Sequence, residues 1–322
     1  MHKQLHPIEL TAPDLAPYRR GNTGIEYVTC FDSGRPGPHV VINALIHGNE
    51  LCGAIAIDFL FRSGIRPRQG QLTLCLANIA AYKRFDPAHP GLSRFVDEDM
   101  NRLWSDEALD GPRQSTELTR ARQLRPLFDR ADYLLDLHSM HHATAPLMLC
   151  GATARGQALA LTLGAPHWVV SDRGHATGRR LLDYHAFSTS SGQRTALLAE
   201  CGQHGQQCSA TFAIEIALRF LLRLAVIEPD PQALPLKLDH DDAAALIEIT
   251  DAVVMTGNSF TFVRSFIGME IIEHGGTVIA HDDQREIRTP YDRCILIMPS
   301  HRINRGQTAV RLGRFVTFGA RP

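Results

Sequence analysis

The apolar run His39-Val40-Val41-Ile42-Asn43-Ala44-Leu45-Ile46 is followed directly by His47-Gly48-Asn49-Glu50, and this junction decides how the chain is interpreted. The apolar run predicts a buried strand, and the polar residues lie where the chain turns into a helix. His47 and Glu50 are three residues apart, so an imidazole nitrogen and a carboxylate oxygen can face one metal ion. The alternative is that both side chains only cap the helix, whose dipole favours a nearby glutamate.

Three further apolar runs predict central strands, because continuous hydrophobicity is typical of strands that are covered on both faces. They are Gln71–Ile79, Ala131–Ser139 and Thr195–Cys201. Helical patterns lie between and after the strands, at Glu50–Phe61, Ser115–Arg130, Arg155–Leu163 and Ser209–Ile227. Strands that alternate with helices predict an α/β fold with a three-layer sheet.

Three polar residues follow or end these predicted strands. His47 comes after the first run, and His138 and Glu200 come at the ends of later runs. Ligands bind at the carboxyl ends of strands in such sheets, so we expect the three side chains to converge. Two histidines and one carboxylate are typical ligands of a catalytic zinc ion, and we therefore predict one Zn²⁺ per chain held by His47, Glu50 and His138.

Glu200 has a different expected role, because a carboxylate that ends an apolar strand is partly desolvated. Desolvation raises its pKa and suits a general base, although a capping or ion-paired glutamate is the alternative interpretation. Asp136 lies two residues before His138, on the same face of the strand, where it can accept the spare N–H of a ligand histidine. His141 and His142 are competing ligands, and His204 and His301 are candidate pocket residues.

The segment Leu92–Arg102 carries arginines, acids and an amide between the first two metal-binding segments. Guanidinium groups bind carboxylates bidentately and can stabilise a developing oxyanion. A solvated loop with internal ion pairs is the alternative.

The chain divides in its last third. We predict an α/β domain over residues 1–228, a proline-containing linker over residues 229–248 and a C-terminal β domain over residues 249–322. Short strand-like runs separated by turns indicate the β domain: Asp251–Met255, Phe260–Val263, Thr277–Ala280, Cys294–Met298 and Thr308–Leu312.

Composition is that of an ordinary globular protein, with 44% hydrophobic and 21% charged residues. The formal net charge of −1 gives no indication of a nucleic-acid or membrane partner. The N-terminus has no apolar signal-peptide core, and the seven cysteines show no framework spacing. We therefore expect a cytoplasmic protein that acts on a small molecule, and a homo-oligomer is compatible with the sequence.

Taken in this order, the HGNE motif, Asp99-Met100-Asn101-Arg102, Asp136-Leu137-His138-Ser139 and Glu200-Cys201-Gly202 resemble the succinylglutamate desuccinylase/aspartoacylase family over nearly the whole chain. The resemblance implies a mixed sheet of the zinc carboxypeptidase type with a smaller, barrel-sandwich-like C-terminal β domain. It also implies amide hydrolysis of an N-acyl amino acid.

The same resemblance assigns roles to individual residues. It implies His47, Glu50 and His138 as zinc ligands and Glu200 as general base and acid. Arg94 matches the arginine that polarises the scissile carbonyl. The residues that match substrate binders are Asn101 and Arg102, which imply a carboxylate-bearing substrate.

The stretch before Glu200 departs from the family pattern. Aspartoacylases hold substrate with a tyrosine and an arginine there, and the candidates in this chain are Tyr184 and Arg194, at a different spacing. Residues Glu200-Cys201-Gly202-Gln203-His204 also lack the proline-containing form of aspartoacylases.

Two other functions compete with a zinc-dependent deacylase acting on linear amides. The alternative enzyme is a metallocarboxypeptidase that cleaves short peptides with the same zinc site. The other is a non-catalytic sensor, which an intact ligand set together with a general base argues against.

Overall fold

The computed structural model describes residues 7–174, 177–228, 244–300 and 303–316. The strands in these ranges are β1 Val28–Asp32, β2 His39–Ala44, β3 Gln71–Leu76, β4 Tyr133–Met140, β5 Leu147–Leu149, β6 Trp168–Ser171, β7 Thr195–Gln203, β8 Ala245–Val254, β9 Phe260–Phe262, β10 Glu270–Ile272, β11 Val278–Asp282, β12 Arg285–Arg288, β13 Cys294–Ile297 and β14 Thr308–Phe315. The α-helices are α1 Leu51–Arg62, α2 Ile79–Tyr82, α3 Asp106–Asp110, α4 Thr116–Phe128, α5 Ala154–Leu161, α6 His185–Ser188 and α7 Gln207–Arg223.

One large mixed sheet runs through the described chain in the order β1-β3-β2-β4-β7-β5-β6-β8-β14-β13-β10. Its centre is parallel, since β2 pairs in parallel with β3 and β4, and β4 pairs in parallel with β7. The carboxyl ends of β2, β4 and β7 therefore lie at one edge of the sheet, which is where the predicted site residues come together.

Apolar side chains cover the parallel strands on both faces, because successive residues of a strand point to opposite sides. On one face Ile42 and Leu135 belong to a core shared with α1 and α7. On the other face Val41 and Leu134 belong to a core shared with α4. The predicted three-layer α/β arrangement is confirmed, and it explains why these strands are apolar at nearly every position.

The sequence predicted the central strands well but missed several short ones. The missed strands include β1, β5 and β6, of which β5 has only three residues and β6 four. Runs this short carry too little periodicity to be distinguished from loops. β5 is antiparallel to β7 and parallel to β6, and it extends the sheet beyond Glu200.

The C-terminal region is antiparallel and continues the large sheet through β14, β13 and β10. A second, three-stranded sheet is ordered β12-β11-β9, and the two share a separate apolar core that includes Ile279 and Leu296. β8 begins at Ala245, so the predicted linker end at residue 248 falls inside a strand that pairs with β6. Most of that linker, residues 229–243, lies outside the described residues.

The division into two domains at this point stays a prediction. No helix among the described residues is long and apolar enough to span a membrane.

Candidate metal centre and active site

The turn after β2 brings His47 and Glu50 to the carboxyl edge of the sheet. Leu45 adopts a left-handed backbone with φ of 63°, and Glu50 is the residue that immediately precedes α1. Gly48 packs so closely that a Cβ there would lie 2.4 Å from the backbone of Ala81. Only glycine fits this position, so the turn between the two side chains is fixed by backbone contact.

His47, Glu50 and His138 meet in a buried cluster. Nδ1 of His47 lies 2.8 Å from Oε1 of Glu50, and Nδ1 of His138 lies 2.9 Å from Oε2. The three residues each offer one ligand atom, and these atoms lie within 4.8 Å of one another. Oε2 of Glu50 is buried yet accepts no well-aligned hydrogen bond from a described residue. A buried orphan oxygen beside two imidazoles fits a bound metal ion.

The second nitrogen of each histidine is held by an aspartate. Nε2 of His47 lies 2.9 Å from Oδ1 of Asp99, and Nε2 of His138 lies 2.9 Å from Oδ2 of Asp136. An ionised carboxylate only accepts, so both Nε2 atoms donate and both Nδ1 atoms are left as ligand atoms. The expected partnership of Asp136 with His138 is confirmed, and Asn43 donates to the other oxygen of Asp136 at 2.7 Å.

The electrostatics of the cluster favour a cation. Burial alone lowers the pKa of His138, but the charges of Asp136 and Glu50 outweigh it and raise that pKa well above its usual range. For Asp99, burial acts in the opposite direction and raises the pKa, but the charges of His47 and two arginines lower that pKa below its usual value. Carboxylates outnumber fixed positive charges here, so a divalent cation would improve the charge balance.

Glu200 stands beside this cluster on β7, with its Cα paired to that of His138 on β4. Its Oε2 is buried and has no hydrogen-bond partner among the described residues. Burial raises the pKa of Glu200 to about 8, with the charge of Glu50 adding to the rise and His138 opposing it. A carboxyl with a pKa near neutrality can both accept and return a proton during a reaction.

Arg94 lies between the cluster and the solvent. Its Nη2 is 3.1 Å from Asp99 and its Nη1 is 3.8 Å from Glu50. The side chain is 36% exposed, so it stays reachable by a ligand in the cavity.

The backbone that follows Arg94 is fixed by Glu117 of α4, a buried carboxylate that sequence reasoning missed. Glu117 accepts hydrogen bonds from the amides of residues 96, 97 and 98 at 2.6, 3.1 and 3.3 Å. Asn78 donates to the same carboxylate at 3.0 Å. These bonds hold the loop that places Arg94 and Asp99 at the cluster.

Asn101 and Arg102 line the same cavity from the end of this loop. Oδ1 of Asn101 accepts from the amide of Leu181 at 2.9 Å. Arg102 donates to the carbonyl of Asn101 at 2.7 Å and to the hydroxyl of Thr177 at 3.1 Å. Burial lowers the pKa of Arg102, and no described carboxylate lies within ion-pair distance of it. Its guanidinium can therefore bind an anionic ligand.

A family model for the succinylglutamate desuccinylase/aspartoacylase catalytic domain matches residues 36–225, which is more than half of the 322 residues. The chain belongs to this family.

Solved structures of the desuccinylase/aspartoacylase family share its fold. Succinylglutamate desuccinylase from Vibrio cholerae is 19% identical, with a TM-score of 0.67 over 90% of this chain and 86% of that one. Succinylglutamate desuccinylase/aspartoacylase from Rhodobacter sphaeroides is 21% identical, with a TM-score of 0.63 over 90% and 89%. The ectoine utilization protein EutE (DoeB) from Ruegeria pomeroyi, in a product-bound structure, is 15% identical with a TM-score of 0.60 over 91% and 92%. A search of curated sequences finds no match.

The structure brings most of the predicted site residues of this family member to one cavity of about 510 Å³. These residues are His47, Glu50, Arg94, Asn101, Arg102, His138 and Glu200. His141 and His142 line the cavity without joining the three-residue cluster. His204 also lines it, whereas His301 lies outside the described residues.

Tyr184 and Arg194, which were predicted to bind substrate, are not among the residues that line this cavity. The hydroxyl of Tyr184 donates to Asp129 at 2.5 Å, and Arg194 donates to the backbone carbonyl of the same residue. Arg194 precedes β7, six residues before Glu200, and a strand of that length separates its ends by about 20 Å. The two residues therefore tie the opposite end of the sheet together.

Three further cavity residues had no clear sequence signal. Arg180 and Arg311 line the cavity wall and share Asp172, which is 2.5 Å from Arg180 and 3.9 Å from Arg311. Ser139 contributes a hydroxyl that lies 2.7 Å from Nδ1 of His204. Arg311 lies on β14, more than 100 residues after Glu200, and only the pairing of sheet strands brings it near.

Proposed function

We propose that this family member is a zinc-dependent hydrolase that cleaves the linear amide bond of an N-acyl amino acid. The observation that carries the proposal is the buried cluster of His47, Glu50 and His138 with Glu200 and Arg94 beside it. Two imidazoles and one carboxylate are a common ligand set of catalytic zinc, and they leave a coordination position open. Zinc bound there would supply Lewis acidity and lower the pKa of a water molecule.

The protein's own groups would carry the remaining steps. Glu200 would take a proton from the attacking water and then return it to the departing amine, since its pKa of about 8 suits both transfers. Arg94 would donate hydrogen bonds to the carbonyl oxygen and stabilise the negative charge that builds there. Because Glu200 and Arg94 are in place before the reaction, little reorganisation is needed in the transition state.

Asn101 and Arg102 would bind the carboxylate of the amino acid. The side-chain oxygen of Asn101 is already bonded to the backbone, so its amide nitrogen is the group left for the ligand. Arg102 is half-buried and donates hydrogen bonds to neutral oxygens, and a substrate carboxylate would add to Asp99 in compensating its charge. We therefore propose a small substrate that bears a carboxylate.

We further propose that the protein works in the cytoplasm. All seven cysteines are free thiols, and most of them are buried. Free thiols are usual in reducing compartments and support this location.

A substrate panel tests the proposed function. Zinc-loaded protein would be incubated with N-acetyl, N-succinyl and longer N-acyl amino acids beside short peptides, and release of free amine would be measured. We expect turnover of N-acyl amino acids by the native protein and a large loss in Glu200→Gln. Turnover of peptides without turnover of any N-acyl amino acid would instead identify a metallocarboxypeptidase.

A further inference from the structure

The cavity beside the candidate metal ligands has two chemically different walls. One wall is polar and includes Arg94, Asn101 and Arg102, and the cavity is also lined by Arg180 and Arg311, which share Asp172. The other is apolar and is formed by Met140, Leu149, Leu198, Ile297 and Met298, which we call the apolar wall. All five belong to one hydrophobic core or pack against it. A ligand that fills such a cavity must be amphipathic.

The apolar wall begins next to the candidate general base. Leu198 lies two residues before Glu200 on β7, so both side chains point to the same face, about 7 Å apart along the strand. Leu149 on β5 is the direct antiparallel partner of Leu198, which places it on that face as well. Apolar surface therefore adjoins the position where an amide carbonyl would react.

The C-terminal region completes the apolar wall. Ile297 ends β13 and pairs with Arg311 of β14, so the apolar wall borders at this end a guanidinium group that lies 3.9 Å from Asp172. Met298 follows with a left-handed backbone, φ 50°, which is uncommon for a residue with a side chain.

The size of the cavity exceeds what a short acyl group needs. Its volume is about 510 Å³, within the range of cavities that bind drug-sized ligands. An acetyl group would leave the apolar wall uncovered, whereas a longer apolar chain would cover it.

Resting on the proposed amide hydrolysis, we propose that the preferred substrates are N-acyl amino acids whose acyl group is an apolar chain of medium length. The chain would lie along the apolar wall, while the amino-acid carboxylate lies against Arg102. The acyl group is assigned to this wall because its first carbon is bonded to the carbonyl carbon. That carbon reacts beside Glu200, next to Leu198 and Leu149.

A chain-length series tests this substrate class. One amino acid would be supplied with acetyl, butanoyl, hexanoyl, octanoyl and succinyl groups, and kcat/KM would be measured for each. We expect kcat/KM to rise by about fourfold per methylene until the wall is covered, as expected for burial of apolar surface. A flat series, or a succinyl derivative that exceeds every apolar one, would overturn the proposal.

A second series varies the amino acid at a fixed hexanoyl group. We expect the side chain of the amino acid to matter less than the length of the acyl chain. If kcat/KM instead followed the size of an apolar amino-acid side chain and ignored the acyl length, the apolar wall would hold that side chain, and the acyl assignment would be wrong.

Met298→Asn tests the wall itself, because asparagine tolerates the left-handed backbone but is polar. We expect the ratio of kcat/KM for octanoyl over acetyl substrates to fall by about tenfold. Met269→Asn is the matched control, since Met269 also has a positive φ, 69°, and does not line the cavity. Equal changes of the ratio in both variants would contradict a local contact.

Binding of the carboxylic acid that hydrolysis would release distinguishes a wrong substrate class from a wrong proposed function. Affinities of octanoate and succinate for the zinc-loaded Glu200→Gln variant would be compared by calorimetry, without any turnover. Tighter binding of octanoate, weakened by Met298→Asn, would support the apolar site even if no N-acyl amino acid were hydrolysed. Hydrolysis together with tighter binding of succinate would retain the function and overturn the substrate class.

Discussion

Nε2 of His47 donates a hydrogen bond to Asp99 at 2.9 Å, although the two residues are 52 positions apart. This contact joins the turn after β2 to the loop that carries Arg94, Asn101 and Arg102. A single aspartate thus orients a candidate metal ligand and fixes the place of the candidate substrate-binding loop.

Asp99→Asn should weaken zinc binding. The amide oxygen of asparagine is uncharged and accepts the Nε2–H more weakly than a carboxylate does, so His47 loses orientation and basicity. Loss of such a partner typically lowers metal affinity by roughly 10- to 100-fold. Competition with a chromophoric chelator measures the change. Asp97→Asn is the control, because Asp97 lies in the same loop but its side chain accepts a hydrogen bond from the amide of Thr116 at the start of α4. Equal affinities in the two variants would remove Asp99 from the metal site.

Glu200→Gln should abolish most turnover while leaving zinc bound. Glutamine keeps the shape of the side chain but cannot take a proton, so kcat should fall by roughly 10²- to 10⁴-fold. Zinc content per chain, measured by elemental analysis, should stay unchanged because Glu200 is outside the ligand cluster. Near-normal kcat in this variant would move the base to another residue.

The arginines of the loop should separate kinetically. Arg94→Ala should lower kcat and kcat/KM together, because its contact with the carbonyl oxygen strengthens as charge builds. Arg102→Ala should mainly raise KM, since a carboxylate is bound equally before and during reaction. Arg102→Lys should recover only part of the loss, because a point charge cannot reproduce bidentate geometry.

Arg113→Ala is the control for both, since Arg113 pairs with Glu98 at the surface. The roles assigned to the loop would be wrong if Arg94→Ala and Arg102→Ala behaved like this control in steady-state kinetics.

His204 should make the metal-free protein less stable in acid. Burial lowers its pKa to about 3, with Arg94, His141 and His47 adding to the decrease and Glu50 opposing it. Between pH 3 and the unfolded value of about 6.5, the unfolded chain binds the proton and the folded chain does not. Stability is therefore lost as the pH falls through this window.

His204→Asn should reduce that loss, because asparagine does not titrate and can keep the bond to Ser139. Unfolding in urea at pH 7.5, 6 and 4.5 measures the effect as a difference between native and variant proteins. A difference that does not change with pH would show that the pKa of His204 is the same in the folded and the unfolded chain.

The centre of the fold was predictable because its strands are buried on both faces. Runs such as Val40–Ile46 contain few polar residues, so their assignment as strands and their order along the chain follow from the sequence alone. The site residues at the carboxyl ends of β2, β4 and β7 were predictable for the same reason, since topology determines where those ends meet.

The other parts of the site depend on long-range contacts that leave no local pattern. In the sequence, Glu117 is an ordinary residue of the first turn of α4. In the structure it is fully buried and accepts hydrogen bonds from the backbone of the loop that carries Arg94. Arg311 reaches the cavity only because β14 joins the large sheet through β8. Tyr184 and Arg194 were assigned from residue type, and both contact Asp129, away from the residues that line the cavity.

Stepwise return of zinc to the metal-free protein tests the central claim most directly. Hydrolysis of an N-acyl amino acid would be followed as zinc is added, with His138→Ala as the reference that lacks one ligand. The account predicts activity that rises linearly to one zinc per chain and then stays constant, with neither stoichiometric zinc nor comparable activity in the variant. Full hydrolysis by the metal-free protein, or native zinc content in His138→Ala, would contradict it.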